Sequence, residues 1–139
     1  MLSVLLAVGF MAAQDTDIIL IERPVPLTDG GSRRALCERV EVEIEYANSW
    51  AKGVQRLEGY VSFSGKKKDI SAILSDIRRT SAKINDVTIW CEDLNVAAVA
   101  IDVAATDGGD QRWLLTVNEK LNIAVEGPSR ICKTGADCD

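Results

Sequence analysis

The stretch LNVAAVAIDVAATDGGDQRWLLTV, residues Leu94 to Val117, contains two long apolar runs on either side of one turn signal. The signal is TDGGD at positions 106–110, in which Asp can bond its own backbone and Gly supplies positive φ. The run at 96–103 and the run at 112–117 are rich in β-branched or aromatic residues. The stretch therefore predicts a β-hairpin.

Residues 40–46 have the most regular alternation in the chain, with apolar side chains at even positions and charged ones at odd positions. This period of two predicts a strand with one buried and one wet face. Asn48, Ser49 and Gly53 are expected to end it, and a loop around Trp50 is expected to lead to a return strand at 57–63. Further short strands are predicted at 18–21, 87–91 and 121–125.

The tetrapeptide TDGG occurs twice, at 28–31 and at 106–109, each time followed by Arg and Leu at the same spacing. A duplicated hairpin would also require similar flanking strands, which the sequence lacks. The pattern favours two independent occurrences of the same turn-forming residues, so a loop is predicted at 28–32.

Beyond the lysine run at 66–68 the apolar spacing changes to about 3.6 residues. This predicts an amphipathic helix over about 69–84, with Asp69 as its N-cap. The predicted fold class is α+β, an antiparallel sheet of about six to seven strands with this helix packed on one face. The hairpin at 94–117 is expected to be the central ladder beneath the helix, with a core of Val99, Ile101, Val103, Trp113, Leu115 and Val117.

The chain of 139 residues fits one domain. Residues 1–13 carry no charged side chain and are shorter than the roughly 20 apolar residues that span a bilayer, so they are predicted to be a signal peptide cleaved after Ala13. Two features depart from that pattern, the lack of a preceding Lys or Arg and the bulky Met11. The alternative is a buried N-terminal strand or helix. Residues 14–139 are predicted to form one α+β domain, which would have no stable membrane anchor once the signal peptide is cleaved.

Four cysteines behind an export signal predict two disulfides in an oxidising compartment, periplasmic or secreted. The favoured pairs are Cys37 with Cys91 and Cys132 with Cys138, and the alternative ties each C-terminal cysteine to one of the other two. No pair has the close spacing of a zinc knuckle, so no metal and no other cofactor are expected.

Histidine is absent, which removes His-based acid and base catalysis, Ser-His and Cys-His nucleophile pairs and His-containing metal sites. The net charge is −5 and the basic clusters are small and separated, which disfavours nucleic-acid binding. No catalytic residue can be assigned from a motif.

Glu41, Glu43 and Glu45 form a row of carboxylates about 7 Å apart on the wet face of the predicted strand. The row could bind Ca²⁺ or a cationic partner. The ordinary interpretation is a solvated face with cross-strand partners such as Arg56. Trp50 and Trp90 complete the candidate recognition surface, because Trp113 is assigned to the core.

The sequence therefore favours a small exported domain that binds a protein or glycan partner, or contributes to the cell envelope, without catalysis. The alternative is a carboxylate-dependent enzyme acting on polysaccharide. That chemistry needs two acidic side chains on either side of a groove, which sequence spacing alone does not reveal.

Overall fold

A computed structural model describes residues 28–49, 51 and 53–131. The predictions for the signal peptide, the strand at 18–21, Trp50, Cys132 and Cys138 lie outside these residues. In chain order the elements are β1 Thr28–Cys37, β2 Val40–Ser49, β3 Gly53–Phe63, β4 Lys66–Asp69, α1 Ser71–Arg79, β5 Ser81–Asp93, β6 Val96–Ala105, β7 Asp110–Val117 and β8 Ile123–Arg130.

The strands form two antiparallel sheets of four, in the orders β1-β2-β3-β4 and β5-β6-β7-β8. The predicted fold class is therefore wrong: the protein is mostly β, with two sheets instead of one sheet of six to seven strands. The hairpin at 94–117 is confirmed as β6 and β7, the two central strands of the second sheet. The helix does not pack on it, since α1 packs mainly against β3 of the first sheet.

The predicted helix over 69–84 is too long, because α1 ends at Arg79 and β5 begins at Ser81. Strand β5 buries Ser81, Ile84 and Val87, a spacing of three. Its pairing with β6 shifts register twice within these residues. Each β-bulge inserts one extra residue into the strand. Two successive bulges thus place the buried residues of this strand three apart, close to the spacing of an amphipathic helix.

The predicted N-cap, Asp69, lies in β4, and Ile70 occupies the N-cap position. The Asp69 carboxylate still accepts a hydrogen bond from the backbone N–H of Ser71 at 2.8 Å. Asp69 therefore pairs with one of the unpaired N–H donors at the start of the helix, although it lies one residue before the N-cap.

The loop predicted at 28–32 is wrong, since these residues belong to β1. A Cβ on Gly30 would lie 2.2 Å from the carbonyl oxygen of Tyr46, so glycine here permits close approach of β1 to β2. The second TDGG, at 106–109, is the turn that the sequence predicts. One tetrapeptide is strand and the other is turn, so they do not mark a structural repeat.

The inner faces of both sheets and the helix share one hydrophobic core. Trp113 is partly buried against it. The strands at 40–46 and 57–63 are confirmed, although β2 continues through Asn48 to Ser49. Tyr46 and Phe63, on the predicted core face of β2 and β3, are also only partly buried. The other apolar side chains predicted for the core of these strands and the hairpin are buried: Val40, Val42, Ile44, Leu57, Val61, Val99, Ile101, Val103, Leu115 and Val117.

A disulfide between Cys37 and Cys91 joins β1 to β5, with a Cα–Cα distance of 5.4 Å, and confirms the favoured pairing of these two residues. An ion pair between Arg33 and Asp86 connects the same two strands at 3.6 Å. The two sheets are thus tied along one side of the molecule. Within the described residues, no helix has the length and apolarity needed to cross a bilayer.

Candidate functional site

The outer face of the first sheet carries the predicted row of glutamates. Val42 and Ile44 of β2 are fully buried, and the alternation therefore turns Glu41, Glu43 and Glu45 outward. Glu45 is exposed and the other two are half-buried.

Strand pairing brings two residues of β3 to this row. Tyr60 lies opposite Glu43, and Glu58 lies opposite Glu45. The Tyr60 side chain is 39% exposed. We name the set Glu41, Glu43, Glu45, Glu58 and Tyr60 the acidic face.

Positive charge balances the acidic face only in part. Arg34 pairs with Glu41 through its Nε. The Lys67 ammonium lies 4.3 Å from the centre of the Tyr60 ring. Within residues 28–49, 51 and 53–131, Glu43, Glu45 and Glu58 form no ion pair.

Two of these carboxylates oppose each other directly, since Glu45 and Glu58 are cross-strand neighbours. Like charges in this position are destabilising. The expected partner Arg56 lies opposite Ala47 instead. Of the four carboxylates in the acidic face, only Glu41 thus has an ion-pair partner within the described residues.

A depression of about 250 Å³ lies in the acidic face, lined by Glu43, Glu45, Glu58, Tyr60 and Lys67. Gly59 also belongs to its lining. A Cβ at this position would lie 2.7 Å from Cδ1 of Ile44, so a larger residue would require Ile44 to move. The carboxylates of the depression stand side by side on a sheet. Hard cations require several oxygens that converge on one point, and no cluster suited to a metal occurs in the described part of the chain.

The structure separates the residues of the predicted recognition surface. Trp90 lies in β5 of the second sheet, 38% exposed, and its indole N–H donates to Glu92 Oε1 at 2.7 Å. The glutamates lie on the first sheet. Trp90 and the acidic face therefore do not form one surface.

Glu58 and Tyr60 are the members of the site that sequence reasoning missed. Both belong to the wet face of the strand predicted at 57–63, so their exposure follows from the same alternation. Their position opposite Glu45 and Glu43 depends on the register of β2 and β3, which a period of two does not specify.

The Cys37–Cys91 disulfide indicates a non-reducing compartment. Comparison with models of known protein families finds no match, and comparison with curated proteins and with solved structures finds none either. The function must therefore be argued from the site itself.

Proposed function

We propose that this protein is a small exported binding domain, periplasmic or secreted, that performs no catalysis and uses its acidic face to bind a partner protein bearing basic groups. The observation that carries the proposal is a set of three carboxylates, Glu43, Glu45 and Glu58, around the exposed ring of Tyr60. None of the three has an ion-pair partner in the described part of the chain. Tyrosine is enriched at protein interfaces, where its ring supplies contact area at low entropic cost.

The repulsion between Glu45 and Glu58 supports this proposal. A cross-strand pair of like charge costs stability in the free protein, and a cation placed between the two carboxylates would remove that cost. A basic partner thus gains more from this arrangement than from dispersed surface carboxylates. Complementary charge also accelerates association.

The predicted signal peptide and the disulfide support the assignment to an exported protein. A cytosolic location would expose the bridge to reducing thiols. Periplasmic and secreted locations are equally compatible with it.

The spacing of the row suggests a defined test peptide. Side chains on one face of a strand recur about every 7 Å, so an extended peptide of alternating lysine and alanine presents ammonium groups at the same repeat. Binding is measured by fluorescence anisotropy at low salt. We expect binding that weakens as salt rises, since exposed charge pairs are screened. A peptide of the same composition with its lysines in one block should bind less tightly.

The triple variant E43Q/E45Q/E58Q should weaken binding about tenfold, as expected for the loss of three exposed charge pairs. The matched control is E92Q/E119Q/E126Q, which changes the net charge equally outside the acidic face. Equal loss in both variants would show that net charge alone attracts the peptide. No binding by the wild type at low salt would also overturn the proposal.

The acidic face also supports a second candidate, a carboxylate-dependent glycan hydrolase. Opposed residues have Cβ atoms about 4.5–5.5 Å apart, close to the roughly 5–5.5 Å between the carboxyl groups of retaining glycosidases. Against it, a general acid has to be kept protonated by burial, whereas Glu45 and Glu58 are exposed. Turnover of a soluble polysaccharide that either E45Q or E58Q abolishes would replace the binding proposal with this one.

A further inference from the structure

Hairpin turns of both sheets meet at one end of the molecule. In a four-stranded meander the first and third turns lie at the same end, which here gives the turns at 38–39, 64–65, 94–95 and 118–122. Side chains connect the sheets at this end. The Arg39 backbone N–H donates to Asn95 Oδ1 at 2.9 Å, and Lys68 Nζ donates to the carbonyl of Leu121 at 3.3 Å.

A cavity of about 500 Å³ opens between the turn at 64–65 and the turn at 118–122. Its apolar side consists of Phe63 and Leu121, both of which are partly buried and pack against the core. Its rim carries the exposed side chains of Lys66 and Lys120. The remaining lining residues are Ser64 and Glu119.

Basic side chains outnumber acidic ones in the lining of this cavity. Neither Lys66 nor Lys120 has an ion-pair partner among the residues described. The Arg39 guanidinium lies 4.9 Å from the centre of the Phe63 ring. Glu119 is the acidic residue of the lining, so the cavity carries net positive charge although the whole chain carries −5.

The backbone around the cavity is held in an uncommon conformation. Leu121 has φ of 59°, a region that bulky L-residues rarely adopt. Asn118 fixes it, because its Oδ1 accepts from the N–H groups of Lys120 and Asn122, and its carbonyl accepts from the N–H of Leu121. Residues held in sparsely populated backbone regions cluster at ligand-binding sites. Here the loop fixes the backbone of Lys120 and Leu121 before any ligand arrives.

We propose that this cavity binds a small amphipathic monoanion, an alkyl or aryl carboxylate or sulfonate. Its apolar body lies against Phe63 and Leu121, and its charged group lies between the ammonium groups of Lys66 and Lys120. The volume is in the range of small-molecule sites. Glu119 repels a second negative group, which favours a monoanion over a dianion. This site is separate from the acidic face, and neither proposal depends on the other.

The probe is 8-anilinonaphthalene-1-sulfonate, an aryl monoanion whose fluorescence rises when it leaves water. Titration of the wild-type protein should give saturable enhancement with one site. The variant K66Q/K120Q should weaken binding by about fivefold to tenfold, as expected for two exposed charge pairs. Both lysines are exposed, so the variant should fold. A melting temperature of the variant equal to that of the wild type would check this.

The matched control is R78Q/K83Q, which removes two exposed cations on α1 and β5 and should leave the affinity unchanged. Amide chemical-shift changes should map to Ser64, Lys120 and Leu121. Equal weakening in both double variants would overturn the proposal. So would absence of binding, or shift changes centred on Trp90 of the second sheet.

The anionic group could come from a free carboxylate or from a membrane lipid, and two further arms distinguish them. Displacement of the probe by decanoate from the wild type, with about fivefold to tenfold weaker decanoate binding to K66Q/K120Q, supports a site for a free amphipathic anion. Cosedimentation with phosphatidylglycerol vesicles, without displacement of the probe by decanoate, would overturn the proposal by showing that this end of the protein recognises a charged surface.

Discussion

The side-chain amide of Asn48 pairs with the backbone of Ile84 as a neighbouring strand would. Asn48 Nδ2 donates to the Ile84 carbonyl at 2.9 Å, and the Ile84 N–H donates to Asn48 Oδ1 at 2.9 Å. Asn48 lies in β2 and Ile84 in β5, so the pair joins the two sheets. Both residues are buried, and Asn48 Nδ2 also donates to Asp29 Oδ1 at 2.7 Å. One side chain thus satisfies both backbone groups of Ile84 within the core.

Asn48→Ala should lower the free energy of unfolding by about 3 kcal/mol. The substitution leaves the buried N–H and carbonyl of Ile84 unpaired, at roughly 1–3 kcal/mol for each group. Urea unfolding followed by tryptophan fluorescence measures the effect as a lower midpoint with an unchanged slope. Asn85→Ala, at an exposed position of β5, is the control and should change stability by less than about 0.5 kcal/mol. A similar loss in both variants would contradict the inter-sheet role of Asn48.

Asn48 also illustrates what sequence patterns miss. The sequence predicts that the strand ends there, because Asn favours turns and caps. In the structure β2 continues, and Asn48 finds its partner 36 residues away. A pattern of local preferences contains no information about a partner at that distance.

The strands themselves were predictable and their assembly was not. Alternation identifies β2 and β3 because a half-buried strand exposes every second residue in any sheet. The β6–β7 hairpin is identified by two apolar runs on either side of a turn signal. The same alternation results from one sheet with a helix across it or from two sheets face to face. The bulges of β5 added a misleading helical period at Ile84, which lengthened the predicted helix and shortened the strand predicted at 87–91. The glutamate row was predictable for the same local reason, whereas its pairing with Glu58 required the register.

Replacing both Cys37 and Cys91 with alanine should lower the free energy of unfolding by about 4 kcal/mol. The bridge closes a loop with a sequence separation of 54, and the estimate follows from the entropy that it removes from the unfolded chain. Thermal or urea unfolding of the variant measures the loss. A peptide map without reductant should contain a Cys37–Cys91 linked peptide that disappears on reduction. Free thiols at both positions would refute the bridge.

Gly30→Ala should destabilise the protein by at least about 1–3 kcal/mol, the usual cost of overpacking. The new methyl group would lie 2.2 Å from the carbonyl oxygen of Tyr46 and would force β1 away from β2. Gly109→Ala is the matched control, because the nearest atom to its added methyl group is the Asp107 carboxylate at 3.9 Å. Chemical denaturation of the two variants compares them directly. Equal stability would show that β1 does not approach β2 as closely as described.

The pKa of Asp69 should be below its ordinary value. The main cause is a hydrogen bond from the Ser71 hydroxyl to the carboxylate, and the second is a hydrogen bond from the Ser71 backbone N–H. A pKa lowered by folding stabilises the protein above the unfolded pKa, near 3.9, and that contribution is lost as the pH falls through the folded pKa. An NMR titration of the side-chain carboxyl carbon measures the value. Ser71→Ala removes the hydroxyl and should move the pKa of Asp69 back toward its ordinary value. A titration unchanged by this substitution would contradict the hydrogen bond.

Glu58→Gln should increase the stability of the free protein, by a few tenths to about 1 kcal/mol, because it removes the repulsion with the opposing Glu45. The gain should be measurable by urea unfolding at low salt and should shrink at high salt, since both side chains are exposed and screened. Glu41→Gln is the control of opposite sign, because it removes the carboxylate that pairs with Arg34. If Glu58→Gln lowered stability, the two carboxylates would not repel each other. Their repulsion would then no longer support the binding of a basic partner at the acidic face. A stabilised variant that also binds the alternating lysine peptide less tightly would show that the charge at Glu58 costs stability and contributes to recognition.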